Sequence, residues 1–117
     1  MQKISRKGTG EVLKLNNAKG TPYLSFPMLD MADGIVHGFS TRMGGVSEDH
    51  LQSMNLSFSR GDEEDRVREN FSRIADSIGF GTQDMVFSHQ THTTNVRVVT
   101  EEDRGSGFTK PLTYQDV

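Results

Sequence analysis

Apolar and polar residues alternate along the first third of the chain, then settle into a helical period in its middle. Glu11-Val12-Leu13-Lys14-Leu15 and Tyr23-Leu24-Ser25-Phe26 carry the period of two expected of strands. The run Asn16-Asn17-Ala18-Lys19-Gly20 between them reads as a turn. Pro27 has no N–H for a ladder, so the second strand lies at a sheet edge or ends there. Ile35-Val36-His37-Gly38-Phe39-Ser40-Thr41 predicts a third strand, introduced by Gly34. The Gly-rich loop Arg42-Met43-Gly44-Gly45-Val46-Ser47 follows. Residues 48–61 read as irregular, with apolar anchors at Leu51, Met54, Leu56 and Phe58.

Between Asp62 and Gly79 the spacing predicts one amphipathic helix. Val67, Phe71, Ile74, Ala75 and Ile78 recur three and four apart and make one stripe. Asp62 is the expected N-cap, and Glu63, Glu64 and Asp65 favour the positive end of the helix dipole. Gly79 closes the other end. Glu64 with Arg68, and Glu69 with Arg73, form pairs four apart, each worth about 0.2–0.5 kcal/mol. Beyond the helix, Met85-Val86-Phe87 and Val96-Arg97-Val98-Val99 predict a strand-turn-strand around Ser88–Asn95. A polar loop, Glu101 to Gly107, comes next. Strands, one helix and further strands indicate a mixed α/β or α+β layer structure.

Composition adds a tension to this pattern. The chain has 117 residues, enough for one domain or part of a larger one, yet only 32% are apolar. A self-sufficient core more often draws on about 45–50%, counted over a slightly wider residue set. The aromatic and β-branched residues are clustered, which a disordered chain does not show. The expectation is a piece whose core is completed by something else. A net charge of −3 argues against general nucleic-acid binding. Lys3, Arg6 and Lys7 read as a solvated tail. No apolar run approaches the ~20 residues of a membrane span, and no signal-peptide core is present. The absence of cysteine excludes a disulfide framework, and the cytoplasm is the expected compartment.

Two clusters bear on chemistry. In Ser88-His89-Gln90-Thr91-His92-Thr93-Thr94-Asn95, two histidines stand three apart. On one continuous strand they face opposite sides and cannot share a metal, whereas Gln90 lies on the face of His92. His92 is the metal-ligand candidate; its partners would be His37, His50, His89 or residues beyond Val117. The alternative is a hydrogen-bonded structural histidine. In the second cluster, the fork of Arg42 at a strand end suits a phosphate or carboxylate. Gly44 and Gly45 allow backbone N–H groups to turn toward the same anion. An ordinary Gly-Gly turn beside a surface arginine fits the same residues. Asn55, between apolar Met54 and Leu56, either satisfies local backbone or faces a ligand.

The order of these segments resembles a known family. His37-Gly38-Phe39-Ser40-Thr41-Arg42-Met43-Gly44-Gly45-Val46-Ser47 is similar to the signature of the laccase-domain family. That family was first named multicopper polyphenol oxidase and is now regarded as purine nucleoside phosphorylase with adenosine deaminase activity. Met54-Asn55-Leu56 resembles its Leu-Asn-Leu step, and Gly61-Asp62 with Val67, Glu69 and Asn70 its Gly-Asp turn and helix. Gln90-Thr91-His92 resembles its Gln-Val-His motif. Phe71 stands where the family often has Arg, and Thr91 and Thr93 where it has Val and Gly. The resemblance covers about residues 34–117; residues 1–33 fit its variable opening strands.

The resemblance implies an α-β-β-α sandwich, with mixed β-sheets between helices, of which this chain is an incomplete N-terminal portion. It implies zinc, with copper as the alternative, held by His92 and by a Cys and a His from motifs that lie beyond residue 117. It implies purine nucleosides and phosphate as partners, no nucleic acid and no membrane. Arg42, Gly44, Gly45 and Gln90 would bind substrate or phosphate, with Arg42 and Asn55 as catalytic residues. The missing C-terminal half would complete the site, and the piece alone would be inactive. Two other readings stand beside it: a copper-dependent polyphenol oxidase, and a non-catalytic module.

Overall fold

The computed structural model describes residues 12–117. Lys3, Arg6 and Lys7 lie outside the described residues. The structure is a small mixed α/β arrangement: a three-stranded antiparallel sheet, helices and long irregular connections. The sheet runs β1 (Lys14–Asn16), β2 (Tyr23–Ser25), β3 (Phe39–Ser40), with β2 in the centre. Leu15 pairs with Leu24, and Leu24 with Phe39. Gly20 takes φ +77° in the predicted turn between β1 and β2, a conformation that costs glycine little. Pro27 ends β2 by opening the one-turn helix α1 (Pro27–Asp30), where its missing N–H costs nothing. Ser25 is buried; it accepts from Asn16 Nδ2 at 2.9 Å and donates to Asp30 at 2.8 Å.

Several expectations need correction. Of the first predicted strand, Glu11 lies outside the described residues, Val12 and Leu13 stand outside β1, and the third shrinks from seven residues to Phe39–Ser40. Leu15, Val36 and Phe39 remain largely exposed, so alternation there is not rewarded by burial. The strand-turn-strand over residues 85–99 is absent: only Ser88 bridges, in parallel, to Tyr114. Val96 and Val98 are more than four-fifths exposed and find no ladder partner among the described residues. His92 takes φ 57°, so the chain turns between His89 and His92 and strand parity does not apply.

The long helix α2 (Glu64–Ile78) confirms the stripe: Val67, Phe71, Ile74 and Ala75 are buried. Gly79 closes it at φ 108°, its N–H bonding Ala75 at 2.8 Å. Glu64–Arg68 and Glu69–Arg73 pair at 2.9 and 3.2 Å. The start differs, because Glu63 is the N-cap and offers no side-chain bond. Asp62 is diverted to other partners, described below.

Against α2 pack Met54, Phe108, Leu56, Met85 and Phe87. Phe71 sits edge-on to Phe108 at 5.4 Å and beside Phe87 at 5.1 Å. Phe108 reaches the core because residues 100–110 fold tightly. Thr100 and Asp103 form a capping box around one 3₁₀ turn, Glu101–Asp103. Gly105 then bonds Met85, and Phe87 bonds buried Ser106, at 2.8 and 2.9 Å. No described helix is long and apolar enough to cross a membrane.

Candidate functional site

The loop 41–47 leaves β3 and folds back along residues 52–57, and the two segments are stitched by their backbones. The carbonyl of Arg42 accepts Ser53 N at 2.7 Å, Met54 N at 3.0 Å and Ser53 Oγ at 3.0 Å. Gly45 N donates to Ser53 Oγ at 3.1 Å, and Ser47 N to the Ser53 carbonyl at 3.0 Å. The approach is close enough to dictate glycine: a Cβ on Gly45 would lie 2.1 Å from the Ser53 carbonyl oxygen. Gly44, at φ +90°, packs its backbone on Thr21 in the same way.

Asn70 fastens this pair of segments to α2. It is wholly buried. Its Oδ1 accepts Val46 N at 2.8 Å, and its Nδ2 donates to Ser47 Oγ at 2.9 Å and to the Asn55 carbonyl at 2.8 Å. Asp62 closes the network. Its carboxylate accepts the Ser47 hydroxyl, Asn55 Nδ2 at 3.1 Å and Glu63 N at 2.8 Å. The Ser47 hydrogen bond, then that of Asn55, holds the Asp62 carboxyl below the ordinary aspartate value. Asn70 is the residue that sequence reasoning undervalued. Its signal was present: a polar side chain beside Val67, Phe71 and Ile74 on the apolar stripe.

Outside these stitches lies an open cleft of about 450 Å³ lined by Arg42, His50, Gln52, Asn55, Leu56 and Arg60, among others. No aspartate or glutamate lines it. The Arg42 guanidinium is tethered through Nε to the Gln52 carbonyl at 3.4 Å. This arrangement can receive an anion.

The proposed site residues therefore divide. Arg42 and Asn55 meet at the cleft. The Asn55 amide is spent on Ser57 and Asp62, so it shapes the wall and reaches no free ligand position in this conformation. Gly44 and Gly45 serve the turn and the close approach, and the Gly45 N–H is committed to Ser53 rather than open to an anion. Gln90 and His92 do not line the cleft; both are exposed on the segment after Ser88. His50, read from sequence as a loop residue, does line it. Arg60 gave no sequence signal, since it sits in the irregular segment before Gly61.

Histidines do not converge. His37 stacks on Phe26, and its Nε2 accepts Phe26 N at 2.9 Å. A nitrogen that accepts an N–H carries no proton, so its 3.7 Å approach to Asp30 is not an ion pair in that state. Among the described residues no three His, Asp or Glu side chains cluster to hold a metal. The described residues thus do not by themselves fit a zinc site.

A family model described as multi-copper polyphenol oxidoreductase laccase matches residues 36–116. The purine nucleoside phosphorylase YlmD of Bacillus subtilis is 38% identical over 73 residues, 62% of this chain and 26% of that protein. A purine nucleoside phosphorylase of Deinococcus radiodurans is 37% identical over 75 residues, 64% of this chain and 28% of its own length. The crystal structure of YlmD from Geobacillus stearothermophilus superposes with a TM-score of 0.71 at 29% identity, covering 84% of this chain and 35% of that one. The chain thus spans about a quarter to a third of the proteins it resembles.

Proposed function

The chain belongs to the multi-copper polyphenol oxidoreductase laccase family, and from that premise we propose that it serves the phosphorolysis of purine nucleosides. The curated relatives are named purine nucleoside phosphorylases, which sets this reading ahead of phenol oxidation. The observation in this chain that supports it is the acid-free cleft that carries Arg42. In phosphorolysis a phosphate oxygen bonds the ribose carbon as the bond to the purine nitrogen breaks. The base leaves with the electron pair of that bond and takes up a proton. The part of this chain is to hold the anion. The Arg42 fork binds two phosphate oxygens, and the tether to Gln52 restricts its swing. Asn55 and Asn70 keep the wall in place.

Zinc belongs to the same proposal through His92, as one exposed donor whose partners come from outside the described residues. When bound, zinc acts as a Lewis acid. Adenosine deamination is included through the family resemblance alone, and the cytoplasm remains the proposed compartment. The test is phosphate-dependent release of hypoxanthine from inosine by the full-length protein, beside oxidation of a phenol with copper supplied. Release of hypoxanthine supports the reading; phenol oxidation without it overturns the reading. In the Arg42→Ala protein the phosphate-dependent rate should fall about 10- to 150-fold, the loss expected for a charge-assisted hydrogen bond.

A further inference from the structure

Seven arginines lie among the described residues, and five of them bind carboxylates: Arg66, Arg68, Arg73, Arg97 and Arg104. The two without a carboxylate partner among the described residues are Arg42 and Arg60, and both line the same cleft. The chain is net acidic, with 16 Asp and Glu against 13 Lys and Arg, so acids are not scarce. Asp62, two residues from Arg60, is the nearest acid in sequence. Its oxygens are occupied by Ser47, Asn55 and the Glu63 N–H. Arg60 makes no side-chain hydrogen bond among the described residues, and Arg42 uses only Nε, on Gln52.

We propose that Arg60 is a second anion-binding residue, and that Arg42 and Arg60 together take a phosphoryl dianion in this cleft. Two guanidinium forks match the charge and the oxygens of a dianion, which one fork neutralises only in part. The site is held open by fixed backbone, since the Arg42 carbonyl and Asn70 tie its walls before any ligand arrives. The same chemistry is offered by inorganic phosphate and by the 5′-phosphate of a nucleotide. The inference deepens the phosphorolysis reading and rests on it for the role of the bound anion.

The experiment measures binding apart from turnover. Inorganic phosphate, and separately adenosine 5′-monophosphate, are titrated calorimetrically into the full-length wild-type protein and its Arg60→Gln and Arg60→Lys variants. Phosphate and inosine KM values are measured in parallel. Arg60 is exposed in a loop, so Arg60→Gln should keep the wild-type Tm. Phosphate affinity should fall about 10- to 150-fold in Arg60→Gln, recover in part in Arg60→Lys, and leave the inosine KM unchanged. Stronger binding of the nucleotide than of phosphate, lost in the same variant, would assign the site to a nucleotide phosphate. Phosphate binding that depends on Arg60 in a protein without phosphorolysis would sustain the site and remove the phosphorolysis reading. Turnover with an unchanged phosphate KM in Arg60→Gln would overturn the inference while the reading stands.

Discussion

Asn70 concentrates the cost of error in one side chain. Replacing it by Ala leaves the part-buried Val46 N and Asn55 carbonyl without this partner and takes one of two bonds from the buried Ser47 hydroxyl, which still donates to Asp62. Unsatisfied buried groups cost about 1–3 kcal/mol each, and partial relaxation should leave a loss of about 3 kcal/mol. Urea unfolding of Asn70→Ala checks this. Gly45→Ala fails for another reason: its Cβ meets a backbone oxygen that cannot rotate away. It should cost about 1–3 kcal/mol by overpacking. Asp62 adds a pH signature. Its folded carboxyl protonates below the ordinary value, so ionised Asp62 stabilises the fold above pH ~4. That contribution drains away as pH falls through the lowered folded value. Acid unfolding curves should therefore show a weaker pH dependence below pH ~4 in Asp62→Asn than in wild type.

At the scale of elements, the helix was legible and the strands only in part: β2 lies where the alternation put it, β1 and β3 cover only part of their predicted runs, and the pair after α2 is absent. A helix satisfies its own backbone, so the spacing from Val67 to Ile78 was enough to place it, with Gly79 as its end. A strand needs a neighbour. Val96-Arg97-Val98-Val99 has the right residues, but no described segment pairs with it. Asp62 was misjudged because capping competes with tertiary partners, and Ser47 and Asn55 won. The cleft was half legible. Arg42 advertised itself beside two glycines, whereas Arg60 and His50 reach the site only through the fold of residues 48–61. Phe71, at the centre of the aromatic cluster, carries the packing of α2. Phe71→Ala should cost about 3–5 kcal/mol, read from denaturant midpoints at unchanged slope.

Over the whole molecule, apolar side chains are spread rather than gathered. The radius of gyration is 16.0 Å, against about 13 Å for a compact chain of this length. Leu15, Met28, Met31 and Phe39 are all more than half exposed. The low apolar content read from the sequence and these bare side chains describe one condition: a small core beneath α2 and a wide unburied margin. Metal affinity belongs to this scale as well, because donors must meet from distant segments. Residues 1–117 alone should bind zinc weakly and lose that binding in His92→Ala but not in His50→Ala. A tight stoichiometric site in a zinc titration would show that other donors do gather.

The carbonyl of Arg42 has a further consequence. The backbone of this residue anchors two segments, and its guanidinium is held apart from them on the Gln52 carbonyl beside the cleft; the two share no atoms. Whatever replaces the guanidinium, the three bonds to Ser53 and Met54 survive. Position 42 is therefore a place where a mutagenesis series reports chemistry with little admixture of folding, since only the Nε bond to the Gln52 carbonyl goes with the guanidinium. Charge, reach and geometry can be varied there one at a time.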